Sequence, residues 1–239
     1  MPVLPFGSFQ PDVSDLNKGH TNSVLNVTPQ GDGYGPFYGL LPYSNALPAA
    51  PRGAFYARKR DGSVAIFAGT TTKLYLLDNT TLTWTDVSRT GDYTSLDVDA
   101  NWSFAQFNDF VIATQNNGDV QFFTLSSSSE FDDLPCSPPR AAYIAVVNRF
   151  LVAAGIADNP NRVQWSGLND ITNWTSGTFE ADYQDLPDGG AVRGVSGGEF
   201  GFIVQAGSLR RMTFSPGSDV IFAIDRLTDD LGSDFPGSI

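Results

Sequence analysis

The chain has few of the side chains that most often carry chemistry. Its 239 residues include one cysteine, Cys136, and one histidine, His20. A lone cysteine excludes an intrachain disulfide, and one Cys with one His cannot assemble a zinc site. A single histidine, far from the repeats described below, leaves a serine nucleophile without its usual base. No apolar run is long enough to cross a bilayer as a helix. No segment carries a helical apolar stripe beyond about two turns. The start, Met1-Pro2-Val3-Leu4-Pro5-Phe6-Gly7, has no basic region and no apolar run, so it does not read as a secretory signal. Asn-x-Ser/Thr triplets at Asn26, Asn79, Asn101 and Asn173 read as chance in a chain rich in Asn and Thr.

Positive charge is scarce as well. Lys and Arg number 14 against 26 Asp and Glu, a net of −12. Residues 1–90 hold seven basic and six acidic side chains, and residues 91–239 hold seven and twenty, so the second part carries −13. A surface of that sign repels a phosphate backbone, which argues against sequence-specific DNA reading. It suits either plain solubility or a wall past which DNA slides.

What is present is hydrophobic content of 41% with 13% aromatics, enough to exclude a disordered chain. Four apolar segments recur: Ser63–Ala68, Phe110–Thr114, Phe150–Ala154 and Phe200–Val204. Aligned on Phe67, Ile112, Val152 and Ile203 they lie about 45, 40 and 51 residues apart, the spacing of four-stranded propeller blades. The expected fold class is therefore all-β, a β-propeller with at least four blades. The first blade opens with Phe55–Phe67, two strands around Asp61-Gly62, and continues with Lys73–Leu77 and Trp84–Val87. The second is expected from Trp102–Phe107, Phe110–Thr114, Asp119–Leu125 and Glu130–Leu134. The third comprises Ala142–Val147, Phe150–Ala154, Arg162–Trp165 and Trp174–Thr175. The fourth comprises Ala191–Val195, Phe200–Val204, Ser208–Phe214 and Val220–Ile224.

Residues 1–53 do not share the repeat. Gln30–Pro36 and Pro48–Gly53 are dense in Pro and Gly, which forbids long helices and favours extended chain broken by turns. Scattered apolar residues such as Val13, Leu16, Val24 and Leu40 mark a packing arm rather than a free linker. The expected division is an extended N-terminal arm or platform, 1–53, and blades over 54–239. The strand-like end, Asp234–Ile239, has no cap. It points to a shortened chain or to a wheel closed by other material.

Candidate sites are weak. Asn161–Trp174 loosely echoes the Asp-box turn of sialidase-like propellers, yet Asp170 and Thr172 can serve their own turn backbone. Carboxylates gather at Asp97/Asp99, Glu130/Asp132/Asp133, Asp182/Asp185/Asp188 and Asp225/Asp229/Asp230. Glycoside hydrolysis needs two of them about 5–10 Å apart in a cleft. Asp182–Gly190 lacks the spacing and closing Glu of an EF-hand loop. Arg58-Lys59-Arg60 tips the first hairpin, where it is either an ordinary charged turn or a dock for an acidic partner. Gly189-Gly190 and Gly197-Gly198 lack the Lys-Ser/Thr of a phosphate loop. No catalytic, cofactor-binding or metal-binding residue is assigned.

Several segments, in their order and spacing, resemble the tail nozzle proteins of short-tailed phages (podoviruses), also called tail tubular protein B or packaged-DNA stabilisation protein. They are Gln10–Val13, Phe67–Tyr75, Trp84–Ser88, Trp102–Phe107, Arg162–Ser166 with Asn173-Trp174, and Gly197–Glu199 with Arg211-Met212. Proteins of that kind usually continue past the length of this chain. The resemblance implies a non-enzymatic virion component with no cofactor, made in the host cytoplasm and placed in the tail. It implies a hexameric ring below the portal and adaptor, through which duplex DNA is retained and ejected, with head-to-tail connector proteins and tail fibres as neighbours. On that reading the near-neutral arm and first blade make the subunit and adaptor contacts, and the acidic blades face the channel or solvent. The rival expectation is a glycan-binding or glycan-cleaving propeller, resting on the Asp-box echo, the aromatics and the carboxylates. An intracellular docking wheel is a third, but the repeats carry no Trp-Asp or kelch signature.

Overall fold

The computed structural model describes residues 7–10, 12–14, 16, 19–30, 33–37 and 39–236. Expectations placed on Leu4, Phe6, Pro11, Gly31-Asp32 and Gly237–Ile239 lie outside the described residues. The chain divides into two compact units, Met1–Tyr43 and Ser44–Ile239.

In the first unit β1 (Ser8–Phe9) pairs in parallel with β2 (His20–Thr21), and β3 (Val27–Gln30) pairs antiparallel with β4 (Gly33–Pro36). The Tyr34 hydroxyl accepts the Phe9 N–H at 2.6 Å and ties the two pairs together.

The second unit is all-β, with four antiparallel four-stranded sheets whose strands lie side by side in chain order. Sheet I holds β5 (Ala54–Arg58), β6 (Val64–Gly69), β7 (Leu74–Leu77) and β8 (Trp84–Asp86). Sheet II holds β9 (Ser103–Phe107), β10 (Phe110–Thr114), β11 (Gln121–Thr124) and β12 (Asp132–Asp133). Sheet III holds β13 (Ala141–Val147), β14 (Phe150–Ile156), β15 (Asn159–Trp165) and β16 (Asp182–Asp185). After a 3₁₀ turn at Pro187–Gly189, sheet IV holds β17 (Val192–Ser196), β18 (Gly201–Gln205), β19 (Leu209–Phe214) and β20 (Phe222–Thr228). Asn108 and Asn148 open two-residue hairpin turns at φ +53° and +55°, the left-handed region that Asn tolerates best among residues with a side chain.

One strand assignment differs from the sequence reading. The fourth strand of sheet III is Asp182–Asp185, not Trp174–Thr175. The Trp174 indole donates to the Ile171 carbonyl at 2.8 Å, and Gly167, Asp170, Thr178 and Ala181 bridge among themselves. The stretch therefore loops out, and the chain rejoins the sheet only at Asp182, opposite Trp165.

Side chains of the second strand of each sheet alternate between two interfaces, as the period of two in a pleated strand requires. In β6, Ala65 and Phe67 face sheet II. In β10, Val111 and Ala113 turn back to sheet I while Ile112 faces sheet III. In β14, Leu151 and Ala153 turn back to sheet II while Phe150, Val152 and Ala154 face sheet IV. Each sheet thus has a rear face and a forward face, and three apolar cores lie between consecutive sheets. Aromatic contacts fill the first and third: Phe67 meets Phe123 at 5.2 Å, Phe150 meets Phe214 at 5.0 Å, and Trp165 meets Phe222 at 5.1 Å. These are edge-on distances that add to simple burial.

The innermost strands are stitched to one another. The Gln106 amide accepts the Arg58 N–H at 2.9 Å and donates to the Arg58 carbonyl at 2.7 Å, joining sheets I and II as a strand would. The Ile144 N–H donates to Ser103 Oγ at 3.1 Å between sheets II and III. Gly198 accepts from Asn148 N–H at 2.6 Å and donates to the Val146 carbonyl at 2.9 Å between sheets III and IV. Two glycines allow close approach between neighbouring sheets, Gly197 at the last of these stitches and Gly69 beside Trp102. A Cβ at Gly69 would lie 2.3 Å from the Trp102 ring, and one at Gly197 would lie 2.0 Å from the Val146 oxygen.

Candidate functional site

The N-terminal ends of the four innermost strands converge on one region. A cavity of about 710 Å³ is lined by residues from 97–103, with Asn116, Ala142, Tyr143, Arg193 and Pro236. A second, of about 770 Å³, shares Val98, Asp99, Asn101, Arg193 and Pro236 with the first and adds Arg52, Asp234 and Phe235. Together they form a hub cleft at which all four sheets begin.

Its walls are set from below. Arg52 Nε donates to the Ala100 carbonyl at 3.0 Å, and its Nη2 reaches the Asp97 carbonyl at 2.8 Å, so this cation is spent on holding the 97–100 loop. Trp102 anchors the loop's end through its indole N–H, which donates to the Thr70 carbonyl at 2.8 Å. Arg193 is the opposite case: its buried Nε has no hydrogen-bond partner among the described residues, and neither has Asn116 Oδ1. The cleft is mixed in sign, because Asp97, Asp99 and Asp234 line it together with Arg193.

The sequence's carboxylate clusters separate by role. Asp97 and Asp99 reach the hub cleft, while the others lie elsewhere on the sheets and their turns. Asp185 takes Arg162 in a bidentate pair at 2.7 and 3.0 Å, and the guanidinium holds its carboxyl below the usual range. Asp188 accepts from Arg210 at 2.5 Å and from Arg226, and the Arg210 bond likewise lowers its pKa. Arg210 is buried and also donates to Gln205 Oε1 at 2.6 Å, while the Gln205 amide caps the Leu186 and Gly190 carbonyls. That network pins the 3₁₀ turn to sheet IV, which is a structural duty. Asp133 pairs with Arg89, and Asp229 with Arg226. Lys73 lies between Asp92, at 2.9 Å, and Asp86, and the Asp92 bond raises its pKa. Burial pushes the Tyr93 hydroxyl up to about 12. No three His, Cys, Asp or Glu among the described residues are placed to hold a metal ion.

The Asp-box echo is a turn held by its own hydrogen bonds and by bonds to the neighbouring chain. Asp170 Oδ1 accepts from the Thr172 N–H at 2.9 Å and from its hydroxyl at 2.6 Å, and Trp165 donates to the Glu180 carbonyl at 2.9 Å. His20 sits in β2 of the first unit, and Cys136 is exposed. Sequence reasoning missed Arg52 and Arg193. The signal was there in each case: Arg193 is a lone cation inside an apolar strand, and Arg52 stands between Pro51 and Gly53 at the doorway of β5.

No family model matches the chain, and no curated protein matches it. Solved structures similar to it include an auxiliary nutrient binding protein from Bacteroides thetaiotaomicron, 16% identical with a TM-score of 0.49 over 76% of this chain and 43% of that one. A catalytically inactive virginiamycin B lyase from Staphylococcus aureus is 14% identical, with a TM-score of 0.46 over 75% of this chain and 57% of that one. PorZ, a surface component of the type-IX secretion system of Porphyromonas gingivalis, is 15% identical, with a TM-score of 0.43 over 80% of this chain and 23% of that one. The chain thus spans between about a quarter and three fifths of these proteins. At such identities nothing about activity or partners carries over.

Proposed function

We propose that the chain is a non-enzymatic, ring-forming subunit of a viral tail nozzle, its four sheets being blades of a β-propeller with at least that many blades and its N-terminal part an extended arm. The propeller reading is supported by four chain-ordered meanders whose first strands line one hub and whose faces pack forward to rear. In that reading the ring is a hexamer below an adaptor, tail fibres attach around it, and duplex DNA passes through it without being read.

The observation that carries the conduit role is the placement of charge. Of the basic residues after position 90, Arg140, Arg162, Arg210 and Arg226 are held in ion pairs with carboxylates. Asp97, Asp99, Glu130, Asp132, Glu199 and Asp225 remain exposed with no Lys or Arg at ion-pair distance among the described residues. The acidic part therefore keeps its negative field and offers few free cations to a phosphate backbone. The test is retention on immobilised duplex DNA at low ionic strength, where attraction would be greatest. The protein is expected to flow through unretarded. Retention that weakens steeply with added salt would count against a channel wall.

A further inference from the structure

Sheets II, III and IV each contribute one residue to the hub cleft whose placement is unusual, and two of the three carry a buried polar atom that nothing satisfies. Arg193 lies in β17 at a bulge. Val192 stands opposite Gln205 and Gly194 opposite Val204, so Arg193 is the extra residue, and a bulge re-aims the side chain it carries. Its Nε is buried without an acceptor, and no carboxylate among the described residues lies at ion-pair distance from it. Asn116, in the turn between β10 and β11, has a buried Oδ1 that receives no hydrogen bond among the described residues. Tyr143 of β13 completes the group. It lies against Gly155, at φ +62°, where a Cβ would come within 2.9 Å of its ring. Burial pushes the Tyr143 hydroxyl up and the charge of Arg193 pulls it down, so the two side chains share one corner of the cleft.

A buried donor and a buried acceptor are each costly to leave unmet, so the cleft suits an occupant that accepts from Arg193 and donates to Asn116. At about 710 Å³ it is far larger than one water needs and falls in the range of small-molecule sites. The charge of the walls narrows the choice. Asp97, Asp99 and Asp234 line the same cleft, and three carboxylates repel a phosphate or any other polyanion while favouring a cation. Arg52 holds the 97–100 loop through its main-chain carbonyls, which leaves the exposed Asp97 and Asp99 carboxylates open to a ligand. The occupant that meets every one of these groups has a single negative end and a positively charged donor close to it.

We propose that the hub cleft binds a small amino-carboxylate, with its carboxylate on the Arg193 guanidinium, its ammonium on Asn116 Oδ1 and the Asp97 and Asp99 carboxylates, and its apolar body against Tyr143 and Ala142. Arginine suits the first contact because its planar fork meets a carboxylate in paired, charge-assisted hydrogen bonds. A zwitterion has no net charge, so it enters an acidic protein without the repulsion that a free anion meets. The site does not rest on the ring-subunit reading, and either can fail while the other stands.

The experiment is calorimetric titration of the full chain with L-phenylalanine and L-leucine, and with N-acetyl-L-phenylalanine and phenethylamine as analogues lacking the ammonium or the carboxylate. At least one of the two amino acids is expected to bind, at one site per chain, and both analogues to bind roughly tenfold more weakly, the loss of one charge-assisted contact. Arg193→Gln is expected to weaken amino-acid binding by roughly tenfold, and Asp97→Asn with Asp99→Asn by a similar factor. The aspartate pair is exposed, so its thermal melt is expected to match the parent's and keeps the test clear of any folding defect in the Arg193 variant. Failure of both amino acids to bind would overturn the proposal, as would unchanged affinity in the aspartate pair. Tighter binding of inorganic phosphate or of glucuronate, neither of which carries an ammonium, would overturn it as well.

Discussion

Trp102→Ala is expected to lower the stability of the blade unit by roughly 3–5 kcal/mol, the usual range for emptying a buried aromatic site. Trp102 is buried, packs edge-on to Tyr93 at 5.0 Å, and fills the hollow that Gly69 leaves open. Its indole N–H satisfies the Thr70 carbonyl, so truncation orphans a buried acceptor as well as opening a cavity. The backbone N–H of the same residue donates to the Arg52 carbonyl, which means the side chain and the main chain brace one junction between sheets I and II. A fall in Tm on the order of 10 °C follows for a unit of this size. Trp84 supplies the contrast. It is half-buried, and its indole bonds Ser44 and Asn45 at the sheet's outer end. Trp84→Ala is expected to cost well under half as much, and equal losses in a thermal melt would show that the hub is not where sheet I is held.

Gly197→Ala is the second large effect, and it falls on a residue that is exposed. Surface substitutions ordinarily move stability by about 0.5 kcal/mol in either direction. Here the new methyl would lie 2.0 Å from the Val146 oxygen, a backbone atom that cannot step aside without breaking the Gly198-to-Val146 bond. A loss at the upper end of the roughly 1–3 kcal/mol typical of overpacking is expected, with faster amide exchange at Gly198 and Asn148. Ser196→Ala, one residue away and also exposed, is expected to change neither. If Gly197→Ala behaved like Ser196→Ala, the stitch between sheets III and IV would be of no energetic consequence.

These residues also show what could be read before the coordinates. The second strand of each sheet was legible because its apolar run is dense, five or six residues of Val, Ile, Ala and Phe, and because a turn residue stands before it. Asn108 and Asn148 marked their hairpins by chemistry alone. The outermost strands were not legible in the same way. β12 is two exposed aspartates, and β16 is Asp-Tyr-Gln-Asp, since an edge strand has little to bury and its pairing is set by the backbone of its neighbour. Trp174 misled for a related reason: an aromatic next to a threonine reads as strand, but its indole closes a loop. Gly69, against the Trp102 ring, and Gly197, in the first hairpin turn of sheet IV, are glycines whose close contacts no spacing in the sequence announces. Arg193 and Arg52 escaped notice because a cation within a strand or beside a proline signals nothing until four strand ends meet.

Single-particle imaging of this protein within the assembled particle, or mixed with candidate neck proteins, tests the central claim most directly. The expected result is a six-fold ring with an acidic central channel. A lone closed wheel with no ring, holding a carboxylate-lined pocket, would contradict it.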